Sequence, residues 1–226
     1  MPEQNASEKR AKRMVGNAGP PNRTLRHLAA CGILAPLQFT IAWAILGFAR
    51  PGYSPIRQYI SELAEQGARH AGIMVASLLA LGLLTLAFAA GLHRGIAGVG
   101  PGAVIGPALI AVFGAGSIGS AIFRCDPGCG GASRANTLHT LVTYTGLGAL
   151  TLATLILPLR LGHDRRWAAY RAYSWLTGAA AIAIYLRGFD AFLGVGLGQR
   201  LFIGVLFLWL AVIALRLFRL AGQSRA

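Results

Sequence analysis

Apolar positions in this chain fall in long unbroken runs, not in the short alternations of a half-buried strand. A helix that crosses a bilayer needs about 20 apolar residues at 1.5 Å each. Six stretches reach that length: Leu28–Phe48, Ala71–Gly91, Ala103–Phe123, Thr137–Leu159, Ala168–Leu186 and Leu201–Leu220. None carries Asp, Glu, Lys or Arg near its middle. Lipid offers the backbone no hydrogen-bond partners, so runs of this length predict α-helices. The pattern therefore predicts an all-α polytopic membrane helix bundle of about six transmembrane helices over residues 28–220. Residues 1–27 are basic and rich in Pro, Gly and Asn, and are expected to form a disordered tail. Residues 221–226 form a short tail at the other end. The first run is too long for a signal-peptide core and is followed by no small-x-small cleavage site, so it reads as an uncleaved span.

One segment between the runs has a helical pattern of its own. Ser54 followed by Pro55 is a good helix start, a capping hydroxyl and then Pro at the first helical position. Ile56, Tyr59, Ile60 and Leu63 then share one face, and Arg57, Ser61 and Glu65 lie off it. This predicts a short interfacial amphipathic helix lying flat at the membrane surface. It either seals the bundle or turns Arg57, Ser61 and Glu62 toward a pocket between the spans.

Composition removes the soluble alternative. The chain has 226 residues, 55% hydrophobic and only 12% charged, against roughly a quarter charged in soluble domains. Its net charge is +14, from 21 basic and 7 acidic residues. In a soluble protein that balance would suggest nucleic acid. Here the charges sit at the ends of apolar runs, where lipid headgroups and the positive-inside rule account for them. No nucleic-acid partner is expected.

The same charges set orientation. Lys9, Arg10, Lys12, Arg13, Arg23, Arg26, Arg94, Arg160, Arg165, Arg166, Arg171, Arg216, Arg219 and Arg225 flank one side, fourteen in all. Arg50, Arg57, Arg69, Arg124, Arg134, Arg187 and Arg200, seven, flank the other. The excess predicts both termini in the cytoplasm. Small residues, including the Gly102/Gly106 and Gly194/Gly198 pairs, predict close helix packing. Pro36 and Pro107 are candidate kinks. No internal repeat is evident, which counts against an inverted-repeat transporter.

Candidate chemistry collects in the loops opposite the termini. Asp126-Pro127-Gly128 is turn chemistry and draws Cys125 toward Cys129. On an oxidising face the pair is a candidate disulfide; free thiols are the alternative. A zinc site using Cys125, Cys129, His70 and His139 matches no zinc spacing, so no metal and no cofactor are expected. Asp190 could pair with Arg187 or Arg200. Arg57, Arg187 and Arg200 together could hold an anionic headgroup.

Three elements in order carry a resemblance. They are Tyr53-Ser54 with Tyr59-Ile60-Ser61-Glu62-Leu63, then Phe123-Arg124-Cys125-Asp126-Pro127-Gly128-Cys129, then Gly198-Gln199-Arg200-Leu201. Over roughly Ala29–Leu220 the chain resembles the membrane family called "domain of unknown function 998". Arg124 stands where many relatives have Pro, and Ala64 where Gly is usual. The resemblance implies about six spans and a bacterial plasma (inner) membrane location, and it implies no reaction.

The function placed first is binding of a membrane lipid or amphiphile in an outward polar pocket. Its candidate binding residues are Arg57, Tyr59, Ser61, Asp126, His139 and Arg200. A structural or partner-binding subunit ranks second. A membrane-embedded hydrolase or transferase ranks third, with Ser61 as nucleophile or orienting group, Glu62 or Asp126 as base, and His139 as base or metal ligand. A transporter ranks last, because no ionisable residue lies mid-membrane.

Overall fold

The computed structural model describes residues 22–96, 102–187 and 194–223. Six long helices run through it: α1 (Arg23–Ala49), α2 (Ala71–Gly95), α3 (Gly102–Ile122), α4 (Arg134–Leu161), α5 (Ala168–Leu186) and α6 (Val195–Gly222). Three 310 turns lie between them, at Ile60–Leu63, Pro127–Cys129 and Arg165–Trp167. No strand occurs among the described residues.

Helix starts follow local capping chemistry. Asn22 accepts the Leu25 N–H at 3.0 Å, so α1 begins at Arg23. That is five residues before the expected span, so part of the basic segment is helical. The remainder of the expected tail lies outside the described residues, as does Asp190. Ser133 caps α4 by accepting the Asn136 N–H at 3.1 Å. α1 and α3 continue through Pro36 and Pro107 without a break.

Consecutive helices pack as neighbours, and α6 returns to pack on α1, closing a six-membered ring in chain order. The ring is unevenly sealed: α5 packs more lightly on α4 and on α6 than the other neighbours pack on one another. On the α2–α3 seam, a Cβ added to Gly82 would lie 2.5 Å from the Gly114 carbonyl oxygen. Only a hydrogen fits there, so the backbones themselves meet. Phe207 packs edge-on against Phe39 and Phe113, with ring centroids 5.8 and 6.1 Å apart.

The outer surface is apolar. Phe48 is 93% exposed and Leu186 76%, with Ile45, Ile122, Leu176 and Leu208 also turned outward. So much exposed apolar surface fits lipid as the surrounding medium. Five helices, all but α5, are long and apolar enough to cross a membrane. α5 has 19 residues, about 28 Å of helix, but Tyr170, Arg171, Tyr173 and Trp175 dilute its apolar character.

The loops after α1 and α3 and the start of α6 lie at one end, called here the cysteine face. The opposite, terminal face holds the start of α1 and the end of α6, where the Asn22 N–H donates to the Ala221 carbonyl at 3.1 Å. Arg160 there donates to the His93 and Ile96 carbonyls, and Arg166 pairs with Asp164 at 2.7 Å.

Candidate functional site

The cysteine face is built from a dense polar cap and, beneath it, a cleft. The cap begins with the loop after α1, which differs from the expected amphipathic helix. Ser54–Gln58 is a turn: the Arg57 and Gln58 N–H groups both donate to the Ser54 carbonyl. Tyr59 is extended, and only Ile60–Leu63 is helical, as a single 310 turn. The cause is tertiary. The Pro55 and Gln58 carbonyls accept from Arg200, at 2.7 and 2.9 Å, and the Ile56 carbonyl accepts from the Gly196 and Leu197 N–H groups. Carbonyls taken by α6 cannot support an α-helix of their own. Gly196 permits this approach, since a Cβ there would sit 2.3 Å from the Gln58 carbonyl oxygen.

Charged side chains saturate the cap. Glu62 is buried and accepts the Tyr59 N–H at 2.8 Å and the Gln58 side-chain amide at 2.7 Å. Glu65, also buried, pairs with Arg50 at 2.6 Å and accepts the Gly128 N–H at 2.7 Å. Asp126 accepts from the Ser133 hydroxyl at 2.7 Å, the Ser133 N–H at 3.1 Å and Gln66 at 3.2 Å. Arg200 also donates to the Gly196 carbonyl and the Tyr53 hydroxyl, and lies 5.0 Å from the Trp43 ring. The Tyr53 hydroxyl in turn donates to the Tyr59 carbonyl at 2.9 Å. Burial pushes its pKa above the ordinary value, with the nearby Arg200 guanidinium opposing. Arg124 donates to the Ala64 and Glu65 carbonyls. The sulfurs of Cys125 and Cys129 lie at bonding distance, 2.08 Å, and Cys129 Sγ is 3.5 Å from the Ser61 hydroxyl oxygen.

Below this cap a cleft of about 600 Å³ opens between α4, α5 and α6, where the ring is least sealed. Its upper end is lined by Tyr59, Ser61, Cys129, His139, Thr143 and Gln199. Its length is apolar, lined by Leu147, Leu152 and Leu155 of α4, Ile182 of α5 and Phe202 of α6. From His139 to Leu155 the lining runs about 24 Å along α4. A small inner chamber of about 70 Å³ lies toward the bundle axis and shares Ser61, His139, Thr143, Leu147 and Gln199 with the cleft. That is room for a few water molecules.

Three side chains at this junction keep unused hydrogen-bonding capacity. The His139 Nδ1–H donates to the Phe123 carbonyl at 2.8 Å, with the Ser120 backbone also against the ring, and Nε2 of the neutral ring is then an acceptor. Gln199 Oε1 accepts the Ile60 N–H at 2.7 Å, which fixes the amide orientation and leaves its NH2 group as a donor. The Ser61 hydroxyl can both donate and accept, and has Cys129 Sγ as its one close partner.

Of the residues singled out from sequence, Tyr59, Ser61 and His139 line the cleft. Glu62, Asp126 and Arg200 instead hold the cap together, and Arg57 is exposed outside the lining. Ser61 and His139 share the cavity without bonding to each other. His70 is exposed at the start of α2, and among the described residues no group of three or more His, Cys, Asp or Glu could hold a metal ion. Sequence reasoning does not single out Thr143, Tyr144, Gly148, Thr151 or Gln199 as lining residues. A signal for most of them exists. Thr140, Thr143, Tyr144, Gly148 and Thr151 recur at three- and four-residue spacing, a polar and small stripe down one face of an otherwise apolar span.

Six packed helices, an apolar outer surface and, among the described residues, charged side chains gathered toward the helix ends define a multi-pass α-helical membrane protein. Residues 33–216 match the model of the family described as "Protein of unknown function (DUF998)", and the chain belongs to that family. Neither a curated protein nor a solved structure matches it.

Proposed function

We propose that this protein binds a membrane amphiphile in the cleft between α4, α5 and α6. The observation that carries this reading is the polarity profile of the cleft. Ser61, His139 and Gln199 stand at its upper end, and below them leucine, isoleucine and aromatic side chains dominate, with the Thr151 hydroxyl turned back to the Leu147 carbonyl at 2.9 Å. A volume near 600 Å³ falls within the range of ligand sites, about 300–1,000 Å³. Tyr144, Leu152 and Tyr185 are exposed along the opening, so a tail can enter sideways from lipid.

A transition-state role for the cap carboxylates has little support, because Glu62, Glu65 and Asp126 already accept two or more hydrogen bonds each. We further place the cleft's polar end on the non-cytoplasmic side of the bacterial plasma membrane, with both termini in the cytoplasm, from the excess of basic residues on the terminal face. Membrane-impermeant thiol labelling of intact cells after reduction tests this. Cys129 is expected to react from outside, and labelling only after permeabilisation would reverse the orientation.

Gly148 supplies the decisive variant. It lines the cleft, and a Cβ added there meets nothing within 4 Å. Gly148→Leu therefore fills the apolar length without disturbing packing. Native mass spectrometry of protein extracted in mild detergent should show a lipid-mass adduct that Gly148→Leu loses. An adduct equally abundant in both proteins, or in neither, rules out this cleft as the binding site.

A further inference from the structure

Resting on that reading, we infer that the amphiphile carried here has an uncharged hydroxyl or amide head on a hydrocarbon tail, not a phosphate or carboxylate head. Among the described residues, no Asp, Glu, Lys or Arg lines either the cleft or the inner chamber. The one arginine that reaches this level from α6, Arg200, is turned into the cap. Its guanidinium faces the carbonyls of Pro55, Gln58 and Gly196, the Tyr53 hydroxyl and the Trp43 ring. Moving it toward a ligand would strip the Pro55 and Gln58 carbonyls of the Arg200 donor. An anionic head in the cleft would thus be desolvated with no cation to meet it, which costs far more than burying a neutral polar group.

The groups that do face the junction suit a neutral head. Gln199 offers NH2 donors, His139 Nε2 offers an acceptor, and the Ser61 hydroxyl offers either. A hydroxyl or a primary amide needs both kinds of partner at once. A phosphate or carboxylate only accepts, and would set its charge against the His139 lone pair. The site is also deep enough for a long tail. Its lining of about 24 Å exceeds the depth of one leaflet's hydrocarbon, about 15 Å. Gly148 stands nine residues, about 14 Å, below His139 on α4. The absent side chain there keeps the lower half of the slot open.

The test uses the purified full chain in phosphatidylcholine vesicles with two photoreactive probes of equal tail length, a diazirine-bearing hexadecanol and a diazirine-bearing hexadecyl phosphate. The alcohol probe should label peptides of α4 and α6 that line the cleft. Unlabelled hexadecanol and palmitamide should displace it about ten-fold more effectively than hexadecyl phosphate. Ser61→Ala should weaken hexadecanol about five-fold, the loss of one neutral hydrogen bond, without moving the thermal midpoint. Octanol should bind Gly148→Leu as well as it binds the parent protein, while hexadecanol loses most of its affinity. Equal or stronger competition by hexadecyl phosphate, or an unchanged Ser61→Ala, overturns the neutral-head assignment and leaves the amphiphile site standing. Failure of both probes to label the cleft peptides overturns the amphiphile site itself.

Discussion

The cap on the cysteine face and the upper end of the cleft lie within a few residues of each other in sequence and carry similar side chains, yet they are in opposite states. In the cap, the carboxylates and guanidiniums are largely matched: Glu65 to Arg50 and Gly128, Asp126 to Ser133 and Gln66, and Arg200 through its terminal nitrogens to three carbonyls and Tyr53, with its Nε left unpaired. At the cleft, Ser61, His139 and Gln199 each keep a donor or acceptor turned toward open space. Ser61 and Glu62 show the contrast best, because they are adjacent. The charged residue is spent on the loop, and the neutral one faces the cavity. Density of polar residues marks where the fold is stitched together; unused valence marks where a ligand fits.

Removing cap residues should therefore cost stability, and altering cleft residues should cost binding. The largest effect is expected for Arg200→Ala. It removes the guanidinium donor from the Pro55 and Gln58 carbonyls and from the Tyr53 hydroxyl, at a cost of about 3 kcal/mol. The thermal midpoint in mild detergent should fall by about 6–12 °C, and a fall of only a degree or two would break the distinction. Replacing both Cys125 and Cys129 with Ser should cost about 2 kcal/mol, the value expected for a very short closed loop. Melting with and without reductant checks it, since the variant should be insensitive to reductant.

Tyr53→Phe removes one bond to Tyr59 and one from Arg200, for about 1 kcal/mol. The Tyr53 pKa is raised in the fold, so the stability it confers is intact below its free value of about 10 and is lost as pH climbs beyond that. A midpoint-against-pH series should show an alkaline decline that Tyr53→Phe reduces. The smallest change is expected for Gly148→Leu, which should leave stability unchanged or raise it by up to about 1 kcal/mol, since Leu favours helix over Gly. A destabilised Gly148→Leu would mean the cleft contributes to packing after all.

Sequence reasoning reached the bundle because its physics is one-dimensional. Apolar length and the cysteine pair around Asp126-Pro127-Gly128 can both be read along the chain. The 310 turn at Ile60–Leu63 was not legible as such. A helix from Ser54 is locally sound, and it fails only because the Pro55, Ile56 and Gln58 carbonyls find partners on α6, some 140 positions away. The roles of Asp126 and His139 were hidden for the same reason. Both are polar residues near a span end, and only the folded chain decides that one holds Ser133 at the start of α4 while the other faces a cavity. Gln199 anchors Ile60 and lines the cleft at once, and neither duty is visible in a single residue letter.

The sideways opening of the cleft sets the terms on which any occupant is held. Acyl chains of the bilayer press against Tyr144, Leu152 and Tyr185 as a solvent would, so the tail gains little from leaving lipid for the slot. Selection then falls on the head, and occupancy depends on the mole fraction of the amphiphile among its neighbours. Its aqueous concentration is not the controlling quantity. Diluting the membrane with inert lipid should empty the site as surely as washing the bulk water would leave it full.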